Sequence, residues 1–304
     1  MNLIIDHVPQ DELYTDIVAA FSNIPEVLGI VQRGSYASGS VDRASDLDVL
    51  IIVDDEHLED FITSIQPRLE GVCHFLTTEG WIDTIVPDFG GIGLVFMVMR
   101  NDKLVQLDLY ITAASAASKI LQFPAKKILH QKSELDALKK GHESMSDVAT
   151  TAVVRYMDSM SSGSQLLLET AIMYEIYAKH LYRRNPTLAL KYRYGLIESV
   201  AKLIRYVFTP GKVDYAMYDW IGDFAAVNSP IVRMFERNIE LIDVYSETQL
   251  KDLSRVIYAL YFESALSVHY PEFLPVMKVV EEYVESLLRP DYTSEPTGSR
   301  LIEI

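Results

Sequence analysis

Two aspartates two residues apart open an otherwise apolar run in "VQRGSYASGSVDRASDLDVLIIVDD", residues 31–55. Asp46 and Asp48 alternate with Leu47 and Val49, so on a β-strand the two carboxylates share one face and the apolar pair faces the other. Like charges held that close oppose each other's ionisation unless a cation neutralises them. Mg²⁺ suits the task, because it takes hard oxygen ligands and commonly bridges one or two carboxylates to substrate phosphates. Upstream, an apolar run ends at Gly34-Ser35. A glycine there lets backbone approach an anion closely, and the Ser35 hydroxyl and exposed N–H groups can bind a terminal phosphate oxygen. A third carboxylate, Asp108, lies in "LVQLDLYIT" (104–112) on the face it shares with Gln106 and Tyr110. Three carboxylates and two metal ions can activate an attacking hydroxyl and stabilise a leaving pyrophosphate. An ordinary edge-strand role for Asp108, with Glu79 or Asp83 as the third acid, is the competing reading.

These residues need a sheet to bring them together, and the first part of the chain predicts one. Residues 10–23 have helical spacing up to Pro25, and 57–69 form a second amphipathic segment. Residues 27–33 and 46–53 read as strands. VFMVMR (95–100) and residues 104–112 flank Asn101-Asp102-Lys103 and read as a hairpin. Past about residue 113 strand signals nearly vanish, and helical periodicity takes over at 147–160, 165–183, 191–208, 230–243, 248–268 and 272–288. A boundary is expected near 113–125, giving a small mixed α/β domain at 1–115 and an all-helical domain at 116–304, an α+β chain with its active site in the cleft between them.

Charge follows the same division. Residues 1–113 hold 19 acidic and 5 basic side chains, and the remainder 24 and 22, within a chain of net charge −16. The acidic part repels a long polyanion and suits metal cations and a cationic small substrate, so no nucleic-acid partner is expected. A basic cluster, Lys179, Arg183, Arg184, Lys191, Arg193, Lys202 and Arg205, falls in the helical part. Lys179 and Arg183 are four residues apart and share a helix face. They are candidates for gripping β- and γ-phosphates, against the alternative of a solvated basic face. A single cysteine, Cys73, excludes a disulfide framework and a thiolate metal cluster. No run reaches the length of a membrane span, and the N-terminus lacks a basic stretch before an apolar one, so a cytoplasmic, soluble monomer or homodimer with no membrane partner is expected.

The pattern Gly34-Ser35, Asp46-Leu47-Asp48 and a later strand bearing Asp108 resembles the nucleotidyltransferase superfamily that includes DNA polymerase β. Its layout is most similar to the bacterial antibiotic nucleotidyltransferases, and residues 81–113 resemble the streptomycin adenylyltransferase branch. The resemblance implies transfer of a nucleoside monophosphate from ATP or another nucleoside triphosphate to an acceptor hydroxyl. Gly34 and Ser35 would bind the triphosphate, and Asp46 and Asp48 would hold Mg²⁺, with two ions expected. Asp108 would be third metal ligand, general base, or both. The acidic first part favours a cationic acceptor such as an aminoglycoside, and hence a role in antibiotic resistance. A lincosamide acceptor, or an antitoxin or protein-adenylylating role through a protein partner, is the alternative.

Overall fold

A computed structural model of the protein describes residues 9–77, 79–86, 91–121, 126–133, 146–160, 162–209, 227, 229–240 and 246–289. The chain divides into two compact units, Met1–Ser161 and Ser162–Ile304.

The first unit is built on a seven-stranded mixed sheet. Its strands are β1 (Val27–Gln32), β2 (Leu47–Val53), β3 (His74–Phe75), β4 (Trp81–Val86), β5 (Gly91–Arg100), β6 (Lys103–Ala113) and β7 (Lys127–Gln131). The order is β3-β5-β6-β2-β1-β7, and β4 also pairs with β5. The expected hairpin is present and longer than its apolar runs suggest, with Arg100 opposite Lys103. Asn101 and Asp102 adopt φ of 51° and 58°. Two successive left-handed residues make the turn whose twist matches a hairpin, and Asn and Asp tolerate that conformation better than most side chains. The centre of the sheet is the parallel pair β2 and β6.

Alternation sorts the two faces of that pair. Leu47, Val49, Ile51 and Val53 of β2, with Leu107, Leu109 and Ile111 of β6, bury against helices on one side. Those helices are α1 (Pro9–Phe21), α3 (Leu58–Thr63) and α4 (Ile65–Leu69), through Leu13, Ile17, Phe21, Leu58, Phe61 and Ile65. The opposite face carries a smaller apolar cluster of Leu28, Val31, Leu50, Ile52, Ala114 and Ala117, with Tyr110 packed beside it. Ala117 belongs to the short α5 (Ala117–Ile120). Asp48 and Asp108 share this second face.

The first unit runs past the expected boundary near 113–125. Beyond it, residues 127–131 pair antiparallel with β1 as β7. Helix α6 (Asp147–Asp158) inserts Ala149, Ala152, Val153 and Tyr156 into the core of the sheet. Its N-cap is Ser146, whose hydroxyl accepts from the Ala149 N–H at 3.1 Å.

The second unit contains α7 (Ser162–Tyr182), α8 (Pro186–Phe208), α9 (Pro230–Ile239), α10 (Glu247–Phe262), α11 (Leu266–His269) and α12 (Phe273–Leu288). Local chemistry marks the starts: Asn185, Ser229 and Ser246 each accept from a first-turn N–H, and Pro186 and Pro230 take first-turn positions. The helical segment expected over 248–268 breaks after Phe262 and resumes at Leu266. Residues 241–243 of another expected helix lie outside the described residues. No helix among the described residues is long and apolar enough to cross a membrane.

Candidate active site

Strand β1 ends at Gln32, and the chain turns through Gly34 into the one-turn helix α2 (Gly34–Ser38). Gly34 adopts φ +61°, a left-handed conformation open to glycine. Space makes the same demand. A Cβ at this position would lie 1.8 Å from Asp48 Oδ2 and 2.6 Å from its Cγ. The Gly34 backbone therefore lies directly against the Asp48 carboxylate. Beside it, the Ser35 carbonyl accepts from the Ser40 N–H at 2.9 Å and the Ser38 hydroxyl at 3.1 Å, closing the turn.

The backbone of Asp48 is fixed from two sides. Its carbonyl accepts from the Arg33 N–H at 3.1 Å and from the Tyr14 hydroxyl at 2.7 Å. The Tyr14 phenol is held well above its ordinary pKa, first by burial and then by the Asp48 charge, so it remains a donor at neutral pH. The loop before β2 is equally defined. Asp42 Oδ1 accepts from the Ala44 N–H and the Ser45 hydroxyl, each at 3.0 Å, while the Gln10 amide donates to the Ser45 carbonyl at 3.2 Å. Asp46 follows, half-buried, one residue before β2 begins at Leu47; the expected strand started at Asp46 itself.

Asp108 stands directly beside Asp48. The two are partners in the parallel register of β2 and β6, so their side chains project from the same face of strands roughly 4.8 Å apart. Both are half-buried. The Gln106 amide, itself 3% exposed, donates to Asp108 Oδ1 at 2.7 Å and orients the carboxylate. Two residues on, Tyr110 is pushed up from its ordinary pKa by burial, then by Asp108, Asp83 and Asp48, with the Arg33 guanidinium opposing. Arg33 lies 5.3 Å from the centre of that ring, a cation–π contact. Three carboxylates thus act on one neutral phenol. Asp83, weighed above as a substitute for Asp108, is grouped with it around Tyr110.

Among the described residues, no three histidine, cysteine or carboxylate side chains converge into a ready-made metal cage. What the first unit offers is an in-register carboxylate pair, a third carboxylate at the mouth of the strand, and a glycine backbone pressed against one of them. This set of hard oxygen donors fits a divalent cation that completes its shell with phosphate oxygens and water.

Lys179 and Arg183 belong to the second unit. Lys179 is buried at 2% exposure, its ammonium 3.1 Å from Glu175 one helical turn away, so its charge is met inside the unit rather than on a solvated face. Arg183 is half-buried just past the end of α7. Sequence reasoning missed Tyr14 and Arg33. Arg33 immediately precedes Gly34-Ser35, a signal that was available; the reach of Tyr14 to Asp48 depends on tertiary packing and had none.

Residues 16–140 match the family model described as nucleotidyltransferase domain. This part of the chain is a nucleotidyltransferase domain. The matched span contains every candidate residue of the first unit, Gly34, Ser35, Asp46, Asp48 and Asp108, and the enzyme is accordingly a transferase. Similar solved structures include a nucleotidyltransferase-like protein from Exiguobacterium sibiricum, 13% identical, covering 94% of this chain and 84% of that one at a TM-score of 0.22. A spectinomycin adenyltransferase from Enterococcus faecialis, solved with ATP and spectinomycin, is 11% identical and covers 92% and 98% at the same score. A CdnC:HORMA-deltaN complex from E. coli is also 11% identical, covering 92% and 89%, again at 0.22. Likenesses at this level add nothing about the substrate of the nucleotidyltransferase domain. A comparison with curated protein sequences gives no match.

Proposed function

We propose that the enzyme transfers a nucleoside monophosphate, preferentially adenylate from ATP, to a hydroxyl of a small cationic acceptor of the aminoglycoside kind. The observation that carries this reading is the in-register placement of Asp48 and Asp108, with the Gly34 backbone against the Asp48 carboxylate. Gly34 and Ser35 present backbone and hydroxyl to the triphosphate. Asp46, Asp48 and Asp108 would hold Mg²⁺, which when bound supplies positive charge to the phosphate oxygens and the leaving pyrophosphate. Asp108, oriented by Gln106, takes the proton of the acceptor hydroxyl. The acceptor oxygen then bonds to the α-phosphorus while the bond to the bridging oxygen breaks and pyrophosphate departs. Asp83 and the acidic surface of the first unit favour an acceptor bearing amines.

The test is incubation of purified protein with ATP, Mg²⁺ and a panel of aminoglycosides, reading pyrophosphate release and acceptor mass. Acceptor-dependent release with adenylated product is expected. ATP turnover that labels only protein, with no aminoglycoside or lincosamide modified, would overturn the small-acceptor reading.

A further inference from the structure

Within the second unit, α7, α10 and α12 enclose a groove of about 570 Å³. Its inner wall is a carboxylate set among hydroxyls. Glu281 accepts from the Ser254 hydroxyl and, at 2.7 Å, from the Tyr258 hydroxyl. The two donors, one on each oxygen, fix the direction of this carboxylate. Glu285 lines the same groove one helical turn further along α12.

Tyr174 closes the inner end from α7. It is 3% exposed and lines the groove, yet its hydroxyl makes no hydrogen bond among the described residues. Burial first, then the charges of Glu281 and Glu285, raise its pKa and keep the phenol neutral in the groove that all three line. The ring is buried while the hydroxyl opens only to the groove, where a ligand N–H can bond it in place of water. Leu250 and Val284 supply apolar surface in the same groove, and the Tyr258 ring an aromatic one. The exposed side chains of the lining, Lys251, Arg255 and Arg289 with Glu247 and Glu285, form the rim, three bases against two acids.

That distribution selects a ligand. The Glu281 carboxylate with hydroxyls inside, and Glu285 beside it at the rim, call for N–H donors carrying positive charge. Aromatic and apolar walls call for an organic body behind it, because a cation over a π-face and apolar burial both favour an alkyl- or arylammonium over a metal ion. The excess of bases over acids at the rim disfavours a second positive charge at the far end. We propose that this groove binds a small organic monoammonium compound, its ammonium among Glu281, Glu285 and the Tyr174 hydroxyl and its apolar body against Leu250 and Val284. The site goes beyond the transfer reading and does not rest on it.

Calorimetric titration of the full-length protein with hexylammonium chloride tests it, with hexamethylenediammonium and hexanoate as comparison ligands. Saturable binding of hexylammonium is expected, with weaker binding of the diammonium and none of hexanoate. Glu281→Gln weakens it by about tenfold, and Tyr174→Phe and Glu285→Gln by about threefold each. Glu285 is exposed, so its variant keeps the fold even where Glu281→Gln disturbs it; circular dichroism of each variant checks this. Absence of saturable hexylammonium binding to the wild type overturns the proposal. So does binding left unchanged in both Tyr174→Phe and Glu285→Gln, or hexanoate binding as tightly as hexylammonium.

Discussion

Replacing Gly34 with alanine tests the contact on which the catalytic reading depends. The new Cβ would begin 1.8 Å from Asp48 Oδ2, whereas a tolerable contact is above 3 Å, so the carboxylate or the turn must move by more than 1 Å. The backbone adds a separate penalty, because φ +61° costs an L-residue roughly 1–2 kcal/mol. Asp48 cannot yield by sliding its strand, since its carbonyl is held by Arg33 and Tyr14. The displacement therefore falls on the carboxylate and the phosphate-facing turn. A 1 Å misplacement of reacting groups can cost about 100-fold in rate, or about 2.7 kcal/mol in the barrier. The assay is acceptor-dependent pyrophosphate release, with Mn²⁺–ATP binding followed by electron paramagnetic resonance as a readout independent of the acceptor. Turnover should fall about 100-fold. Thermal unfolding of the first unit should drop by only a few degrees, as expected for about 1–2 kcal/mol. A Gly34→Ala enzyme that binds Mn²⁺–ATP and turns over within threefold of wild type would refute the reasoning.

Other perturbations separate orientation, ionisation and packing. Gln106→Ala removes the 2.7 Å donor to Asp108 and should lower kcat by about tenfold, the worth of one charge-assisted hydrogen bond, with little change in KM for ATP. For Tyr110 the sign is set by a folded pKa above the unfolded value near 10. Its contribution to stability is complete below pH 10 and is lost as pH rises, because the unfolded phenol then releases a proton that the folded one keeps. Tyr110→Phe should flatten the alkaline fall of unfolding free energy by about one proton, read from denaturant titrations above pH 10. Lys179→Met leaves Glu175 charged and buried without its ammonium, and should destabilise the second unit by about 3–5 kcal/mol. Adding Glu175→Leu should restore most of that loss in thermal melts.

Much of the site could be read in the chain because its parts are local. Gly34-Ser35 closes one strand, Asp46-Leu47-Asp48 opens the next, and the alternation around Asp108 assigns its face without knowledge of the partner strand. The hairpin was equally readable, since Asn101-Asp102 encodes its own turn. What escaped depends on distant pairing. KILHQ reads like the helical stretch around it and becomes β7 only because β1 offers an open edge. Helix α6 has the periodicity of the helical half, yet its Ala149 and Val153 stripe finds its core under the sheet. Lys179 looks like one more member of a basic face until Glu175 is seen to be buried with it. The grouping of Asp83 with Asp108 around Tyr110 likewise follows from β4 lying beside β5, a pairing no local signal announces.

The central claim is that Asp48 and Asp108 act together as one metal- and triphosphate-binding pair. Mn²⁺–ATP binding and acceptor-dependent pyrophosphate release, measured on Asp48→Asn and Asp108→Asn with folding confirmed by circular dichroism, test it most directly. Each substitution is predicted to abolish metal-dependent turnover and weaken Mn²⁺ binding in the presence of ATP while the protein stays folded. Either variant retaining wild-type turnover and Mn²⁺ affinity would contradict the account.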